Sequence, residues 1–553
     1  AIRWDGANGT LTDSNFINNT ANQHGGAVAW AGTDGTLSGS NFINNAAKNV
    51  GGAVYWSGAN GLLASSNCTG NTAGTNGGGI EWDGANGTLK SSTFNSNTAQ
   101  NLGGGVIWAT GSANSKIIDC KFINNFAGTS GGAVLWNGPN GNLTDSSFTG
   151  NNANQYGGAV CWYGANSNMI NCNFTENHAA DGDNVYWVWD ISEFINKYNQ
   201  INDYDYVYIR NGIGTPSTTI ILNKKGITIH GQSTNTIFDA KGGNLHFEVT
   251  GNNILIENIT FRNFNFTNWG GVIQWTGTDG RLENCKFLNN TANTGGAVYW
   301  LGSNGQLIDS IFTDNAANVQ YGGAICWNGG NGILSGSTFT GNTANVQGGA
   351  IRWGGANGTL TNSTFINNIA GTNGGAIRLI GSNSIVTNSI FINNIAGTSG
   401  AGIMWVGSNG TLTNSIFNDN KATNGGGILW EGDNGILFGS TFTNNTADKG
   451  GAIRWVGSNG ALTTSTFKGN SANVGGSILW ESIGSMANCC FLNTTSVNSN
   501  GIYANNNLNI NGGNGIVHIF TNGTLSGISL IILNNETYYY PPDTNINFTN
   551  KTN

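Results

Sequence analysis

Arg352 and Arg378 stand 26 residues apart, each directly after an isoleucine, and Arg454 follows in the same setting about three such intervals later. In a chain that repeats at this interval, the two guanidiniums fall on adjacent turns. Two planar, permanently charged forks side by side suit an anionic sugar or a partner's carboxylate. The plain alternative is a pair of solvated surface charges. The same position earlier in the chain holds Arg3, Ala29, Tyr55, Glu81, Ile107, Leu135 and Cys161, a mixture with no shared property, and is therefore expected to face outward. Within it Ile107, Leu135 and Cys161, and later in the chain Met404 with Leu429, form apolar stripes. These serve either packing between modules or a ligand or partner surface.

Acid–base chemistry on a saccharide needs converging carboxylates, or a basic group beside a carboxylate-bound metal. The outward position offers Glu81 alone in the first part of the chain and no carboxylate between Gln274 and Leu479. Asp279, Glu283 and Asp309 share no spacing. No catalytic residue is assigned, and a non-enzymatic protein is expected. The five histidines, at 24, 178, 230, 246 and 518, lack metal-ligand spacing. Asp83-Gly84-Ala85-Asn86-Gly87 has the residues of a calcium loop, but other copies replace the acid, as at Ser57 and Val406, so a structural turn is expected. No metal or cofactor is expected.

Cys120, Cys172, Cys285 and Cys489 sit two residues before a repeated phenylalanine where other copies have serine, and read as small buried residues. Cys161 and Cys326 occupy the outward position and could pair only if two arrays packed together. Asn-x-Ser/Thr sequons occur at Asn8, Asn18, Asn86, Asn357, Asn409 and Asn522. They are either glycan acceptors in exposed turns or by-products of an Asn/Thr-rich repeat.

The element that must position these residues is the repeat itself. Trp4, Trp30, Trp56, Trp82 and Trp108 recur every 26 residues, Trp136 after 28 and Trp162 after 26. A second set runs Trp275, Trp300, Trp327, Trp353, Trp405, Trp430, Trp455 and Trp480 at intervals of 25 to 27, with Leu379 midway through the one double-length gap. The residue two before each tryptophan is valine or isoleucine throughout, so both should point inward. A Gly/Asn turn follows, then a strand carrying Phe42 or Phe365, then Asn45 or Asn368 and an alanine. Asparagines in register can hydrogen-bond up and down a stack. Three short strand-like faces and three turns in ~26 residues describe one coil of a parallel β-helix. Trp30, Trp56, Trp82, Phe42, Asn45, Trp353, Phe365 and Asn368 are its expected structural stack. At roughly 4.8 Å per coil, the arrays should be rod-like.

The totals agree. Only 9% of the 553 residues are charged and 88 are glycine, yet 18 Trp, 25 Phe and 14 Tyr supply the apolar area that disordered chains lack. A formal net charge of −8 provides no basic face for nucleic acid. No apolar run approaches the ~20 residues of a membrane span. The sequence divides into a first β-helix array over 1–187 that begins mid-repeat, and a capping helix with entry coils over 188–262. A second array follows over 263–495, then C-terminal cap strands and a polar tail over 496–553. The helix is marked by Asp190-Ile191-Ser192-Glu193, a capping-box pattern, and should cover exposed strand edges.

The Gly51-Gly52-Ala53-Val54 run with Phe42-Ile43-Asn44-Asn45, repeated in register over about 1–180 and 261–494, resembles the polymorphic outer-membrane-protein repeat. The Asn/Thr-rich, tryptophan-bearing version also resembles adhesin-like surface proteins of methanogenic archaea. The resemblance implies an all-β, right-handed parallel β-helix (solenoid), an extracellular cell-surface location and an adhesive role toward host or neighbouring-cell glycans or surface proteins. The bacterial family also carries a C-terminal membrane barrel, which nothing here resembles, and this disfavours an autotransporter. Two other functions are carried alongside adhesion: a filament or stalk built by end-to-end self-association of β-helices, and a polysaccharide lyase or hydrolase.

Overall fold

The computed structural model describes residues 2–492, 494–496, 501–504, 508–511 and short strands at 519–521, 525–526, 530–533 and 536–539. Asn522 and the tail from 540 lie outside the described residues. The chain is an all-β parallel solenoid of about 19 turns. One turn comprises the strands Val28–Trp30, Thr36–Ser38, Asn41–Ile43 and Ala46–Ala47. Each pairs parallel and in register with its copy in the next turn, Val28 on Val54, Leu37 on Leu63, Phe42 on Cys68 and Ala47 on Ala73. A turn thus has four strand segments where three faces were expected. The extra one is the two-residue segment at the alanine, too short to show a period of its own.

Alternation sets the core. Val28 and Trp30 are buried, whereas Ala29 between them is half-buried. Trp30 stacks on Trp56 with ring centroids 4.8 Å apart, and Trp56 on Trp82 at 4.6 Å. The two-residue-longer turn lies between Trp108 and Trp136, and the Trp108 ring is rotated 32° from Trp82 and 28° from Trp136. In the later repeats Trp327 and Trp353 stack at 4.8 Å and Phe365 and Phe391 at 4.9 Å. The indole of Trp56 lies flat on Gly61, where any Cβ would come within 2.5 Å of the ring.

Polar ladders run beside the apolar ones. The Asn71 side-chain oxygen accepts from the Asn45 backbone N–H at 2.9 Å and from its amide at 3.0 Å, while that amide also donates to the Phe16 carbonyl at 2.9 Å. Asn368 repeats the pattern with Asn394 and Phe339. Each buried asparagine thereby satisfies itself and two backbone groups. The eight cysteines are free thiols. Cys120 and Cys285 take the place of the buried serine that donates to the carbonyl two residues back.

The chain forms two compact units. One comprises 1–212 and 224–236, the other 213–223 and 237–553, so the division interleaves over about two dozen residues. In the first unit the strand Val185–Trp189 pairs with Val160–Trp162 on one side and Tyr206–Ile209 on the other, and the latter with Thr228–Gly231. Between them the helix Ile191–Lys197 packs against Val185–Trp189, and the 3-10 turn Tyr198–Gln200 that continues it packs against Asn168–Ile170, the last strand of its sheet in that unit. Lys197 Nζ donates to the Ser167 carbonyl at 2.7 Å. Asp190 caps the helix by accepting from the Glu193 N–H at 2.9 Å. The Glu193 carboxylate does not close a reciprocal box; it accepts from the Asn166 N–H instead. In the second unit one sheet runs without interruption from Ile220–Leu222 through Phe247–Val249 and Ile273–Trp275 to Ile519–Thr521.

Candidate ligand groove

In each unit the Val-x-Trp strands form a separate sheet, whose outer side is a candidate groove made by three columns of residues. Its floor is the middle residue of each Val-x-Trp strand. One wall is the residue before each Gly-Gly, held in register by isolated parallel bridges such as Tyr321 to Gln347 to Asn373. The other wall is the residue after each tryptophan.

In the first unit, the wall residue Asp83 accepts the hydroxyl of the floor residue Tyr55 at 2.7 Å, and the His24 ring lies 5.2 Å from Tyr55. Glu81 sits beside Asp83 on the same strand end. Burial, and then the Asp83 charge, push its carboxyl up to about 7. Asp83 is therefore part of a groove wall. Further along, the floor becomes apolar.

Ile107 and Leu135 were expected to form an open stripe. They are 3% and 1% exposed, because they cluster with Cys161, Tyr186 and Val188 beneath Leu102, Tyr156 and Tyr163. In the second unit Met404 and Leu429 are 7% and 3% exposed. Rungs about 4.8 Å apart on either side leave a long apolar side chain little free surface. These four residues are thus corrected from an exposed surface to a closed floor.

Arg352 and Arg378 differ. They are half-buried, directly paired on adjacent strands, and reach the walls through neutral partners only. Arg352 Nη1 donates to the Asn328 side-chain oxygen, and its guanidinium lies 5.4 Å from the centre of the Tyr321 ring. Arg378 Nη1 donates to the Gln347 side-chain oxygen. The Nε–H of each is buried and donates to nothing. Burial, and next the Arg352 charge, disfavour the charged form of Arg378 and push its pKa down, against a smaller pull from the Glu431 carboxylate. Asn328 is held from the other side by its amide, which donates to the Tyr299 hydroxyl at 3.4 Å. Tyr299 in turn stacks on Trp269 at 5.4 Å, and Trp269 is 48% exposed.

The other arginine of this column is neutralised. Arg454 meets Glu481, a wall residue, through two nitrogens and also donates to Asn424 at 2.9 Å. Among the described residues, Arg352 and Arg378 have no carboxylate within ion-pair distance. Sequence reasoning found the two arginines but not Trp269, Tyr299, Tyr321, Asn328 and Gln347. Those lie in columns at fixed offsets from the Gly-Gly and the tryptophan, so reading three columns instead of one would have found them.

The sequons at Asn8, Asn18, Asn86, Asn357 and Asn409 sit in exposed positions. Asn86, Asn357 and Asn409 are left-handed turn residues with φ of 57° to 59°. Each donates its side-chain amide to the asparagine one turn back: Asn86 to Asn60 at 3.0 Å, Asn357 to Asn331 at 3.0 Å and Asn409 to Asn383 at 3.0 Å. Asn8 and Asn18 are exposed with the same backbone geometry.

The Chlamydia polymorphic membrane protein repeat matches at residues 336–352, 362–379 and 439–454. No curated protein sequence matches. Solved structures with a similar course of chain include a PL6 alginate lyase in complex with trisaccharide (12% identity, 64% of this chain and 91% of that one, TM-score 0.45). Others are a periplasmic alginate epimerase (11%, 62% and 84%, TM-score 0.35) and the tailspike of E. coli bacteriophage HK620 with pentasaccharide (12%, 69% and 73%, TM-score 0.32). No helix among the described residues is long and apolar enough to cross a membrane.

Proposed function

We propose that this chain is a repeat region of an extracellular, cell-surface, adhesin-like protein. It acts without catalysis, holding a glycan or surface protein of a host or neighbouring cell in the groove of the second unit. The observation that carries this reading is the Arg352–Arg378 pair. Two like charges are kept half-buried on adjacent rungs with amide, aromatic and thiol neighbours and no carboxylate within ion-pair distance among the described residues, an arrangement that an anionic partner would relieve. A site kept for stability alone would resemble Arg454, which has its own carboxylate. The polymorphic-membrane-protein type of repeat supports the surface role.

The test is adhesion of fluorescent full chain to cells and to glycan-coated surfaces, compared with R352A/R378A and with R454A. The reading expects most binding to be lost in the double variant and retained in R454A. Undiminished binding by the double variant would remove the groove from the function.

A further inference from the structure

Taking that reading as its basis, we propose that the ligand is a uronate-containing glycan laid along the solenoid axis, one sugar per turn. Two of its carboxylates would lie on Arg352 and Arg378, and the sugar three rungs before Arg352 would lie on Trp269. Three observations lead here.

The first is register. Arg352 and Arg378 are directly opposed on adjacent parallel strands, so their origins differ by about 4.8 Å along the axis. That is close to the advance of one pyranose ring in an extended glycan. A polymer lying parallel to the axis therefore brings one sugar to each rung.

The second is the chemistry of the two sites. A guanidinium offers two parallel N–H donors to one carboxylate. Each of these arginines uses one Nη on a wall amide and leaves its buried Nε–H without an acceptor. A carboxylate on the accessible side of each arginine would supply the missing charge.

The third is the rest of the groove. Asn328 links Arg352 to Tyr299, and Tyr299 backs the exposed Trp269. The floor between Trp269 and Arg352 carries no charge: Gln274, Tyr299 and Cys326. One strand before Gln274 the floor residue is Glu248, which repels further carboxylates at that end. Beyond Arg378 the floor is the buried Met404 and Leu429. The cationic stretch is thus two sugars long, and the aromatic platform lies three rungs before Arg352, about 14 Å along the axis. A bound segment of about five sugars spans both.

The experiment is calorimetric titration of the full chain with oligomers of galacturonate, mannuronate, guluronate and glucuronate, two to eight sugars long. Their methyl esters and sulfated neutral oligomers serve as controls. The proposal expects at least one uronate series to bind, with affinity rising to about five sugars and then levelling. Methyl esterification is expected to weaken binding about tenfold or more, as are R352A and R378A, consistent with loss of one charge-assisted contact. W269A should weaken long oligomers but not disaccharides, and R454A should change nothing. Circular dichroism and melting of each variant establish that it is folded.

Equal binding of esters and free acids, preference for the sulfated oligomers, or no binding of any uronate would overturn the proposal. If surface adhesion still depended on Arg352 and Arg378 in that last case, the groove would stand and only the ligand class would be wrong. If adhesion were indifferent to both arginines, the function proposed above would fall with it.

Discussion

Arg454 and Glu481 meet side-on across one turn of the solenoid, Nε to Oε2 at 2.9 Å and Nη2 to Oε1 at 3.2 Å. The same column supplies Arg352 and Arg378, which lack such a partner. The fold therefore contains, in one column, a paired arginine and two arginines without a carboxylate partner. The difference lies in the wall residue one strand on: Glu481, after Trp480, serves Arg454, whereas Ile380, after Leu379, and Val406, after Trp405, are what follow Arg352 and Arg378.

Removing Glu481 should turn the paired arginine into a third without a carboxylate partner. E481Q is expected to cost about 1 kcal/mol in urea unfolding and to increase retention on an anionic resin. A loss of stability without added anion retention would mean that Arg454 collapses onto other groups.

Moving a carboxylate to the arginines without one should do the reverse. I380E places an acid where Glu481 stands relative to Arg454, in the wall one turn after Arg352. The substitution is expected to leave melting unchanged within about 0.5 kcal/mol and to abolish adhesion. Adhesion at the native level would show that the free charge is not what the partner reads.

Asp205 makes stability depend on pH. It is buried, accepts from the Trp187 indole N–H at 3.0 Å and the Asn202 N–H at 2.9 Å, and burial pushes its carboxyl up to about 7. Glu81 is shifted in the same direction. The unfolded chain loses these protons near pH 4 and the folded chain near pH 7, so between those values the folded state binds more protons. Stability from these groups is then present below about pH 4 and declines as pH rises through about 7. D205N, which retains an acceptor for Trp187, should flatten that decline in urea unfolding followed from pH 5 to 8. An unchanged slope would exclude Asp205 as its source.

The asparagine ladder should be intolerant of truncation. Asn368→Ala strands the Phe339 carbonyl and the Asn342 backbone N–H inside the coil. A cost of about 2–4 kcal/mol follows from two buried unsatisfied groups. A change under about 0.5 kcal/mol would mean that neighbouring turns repair the ladder.

Glycan occupancy should follow the turn ladder. Asn86, Asn357 and Asn409 already spend their amides on the preceding turn. Peptide mass mapping of chain purified from a glycosylating host is expected to find these three bare. Full occupancy at them would show that the ladder forms only after modification.

The sequence reveals what repeats and conceals what does not. Trp30, Phe42 and Asn45 were readable because a stack demands the same residue in each turn. Leu379 was readable as a gap, and the structure places it between Trp353 and Trp405 beside a small apolar cleft. The fate of Ile107 was not readable: alternation places it outside the coil, but Leu102 and Tyr156, from a separate column, cover it. Asn328, Tyr321 and Gln347 escaped notice for the same reason that they are useful, since their columns carry no structural demand and vary freely. The Asp190 cap was legible from local pattern, whereas the Glu193 bond to Asn166 joins residues 27 apart and required the fold.

The central claim, that Arg352 and Arg378 are the contact surface, is tested most directly by arginine modification. The full chain would be treated with phenylglyoxal, free and bound to a surface it adheres to, and each arginine quantified by mass spectrometry. The account predicts that binding protects Arg352 and Arg378 while Arg281 and Arg454 react at the same rate in both states. Firm adhesion with Arg352 and Arg378 still reacting at their free rate would contradict it.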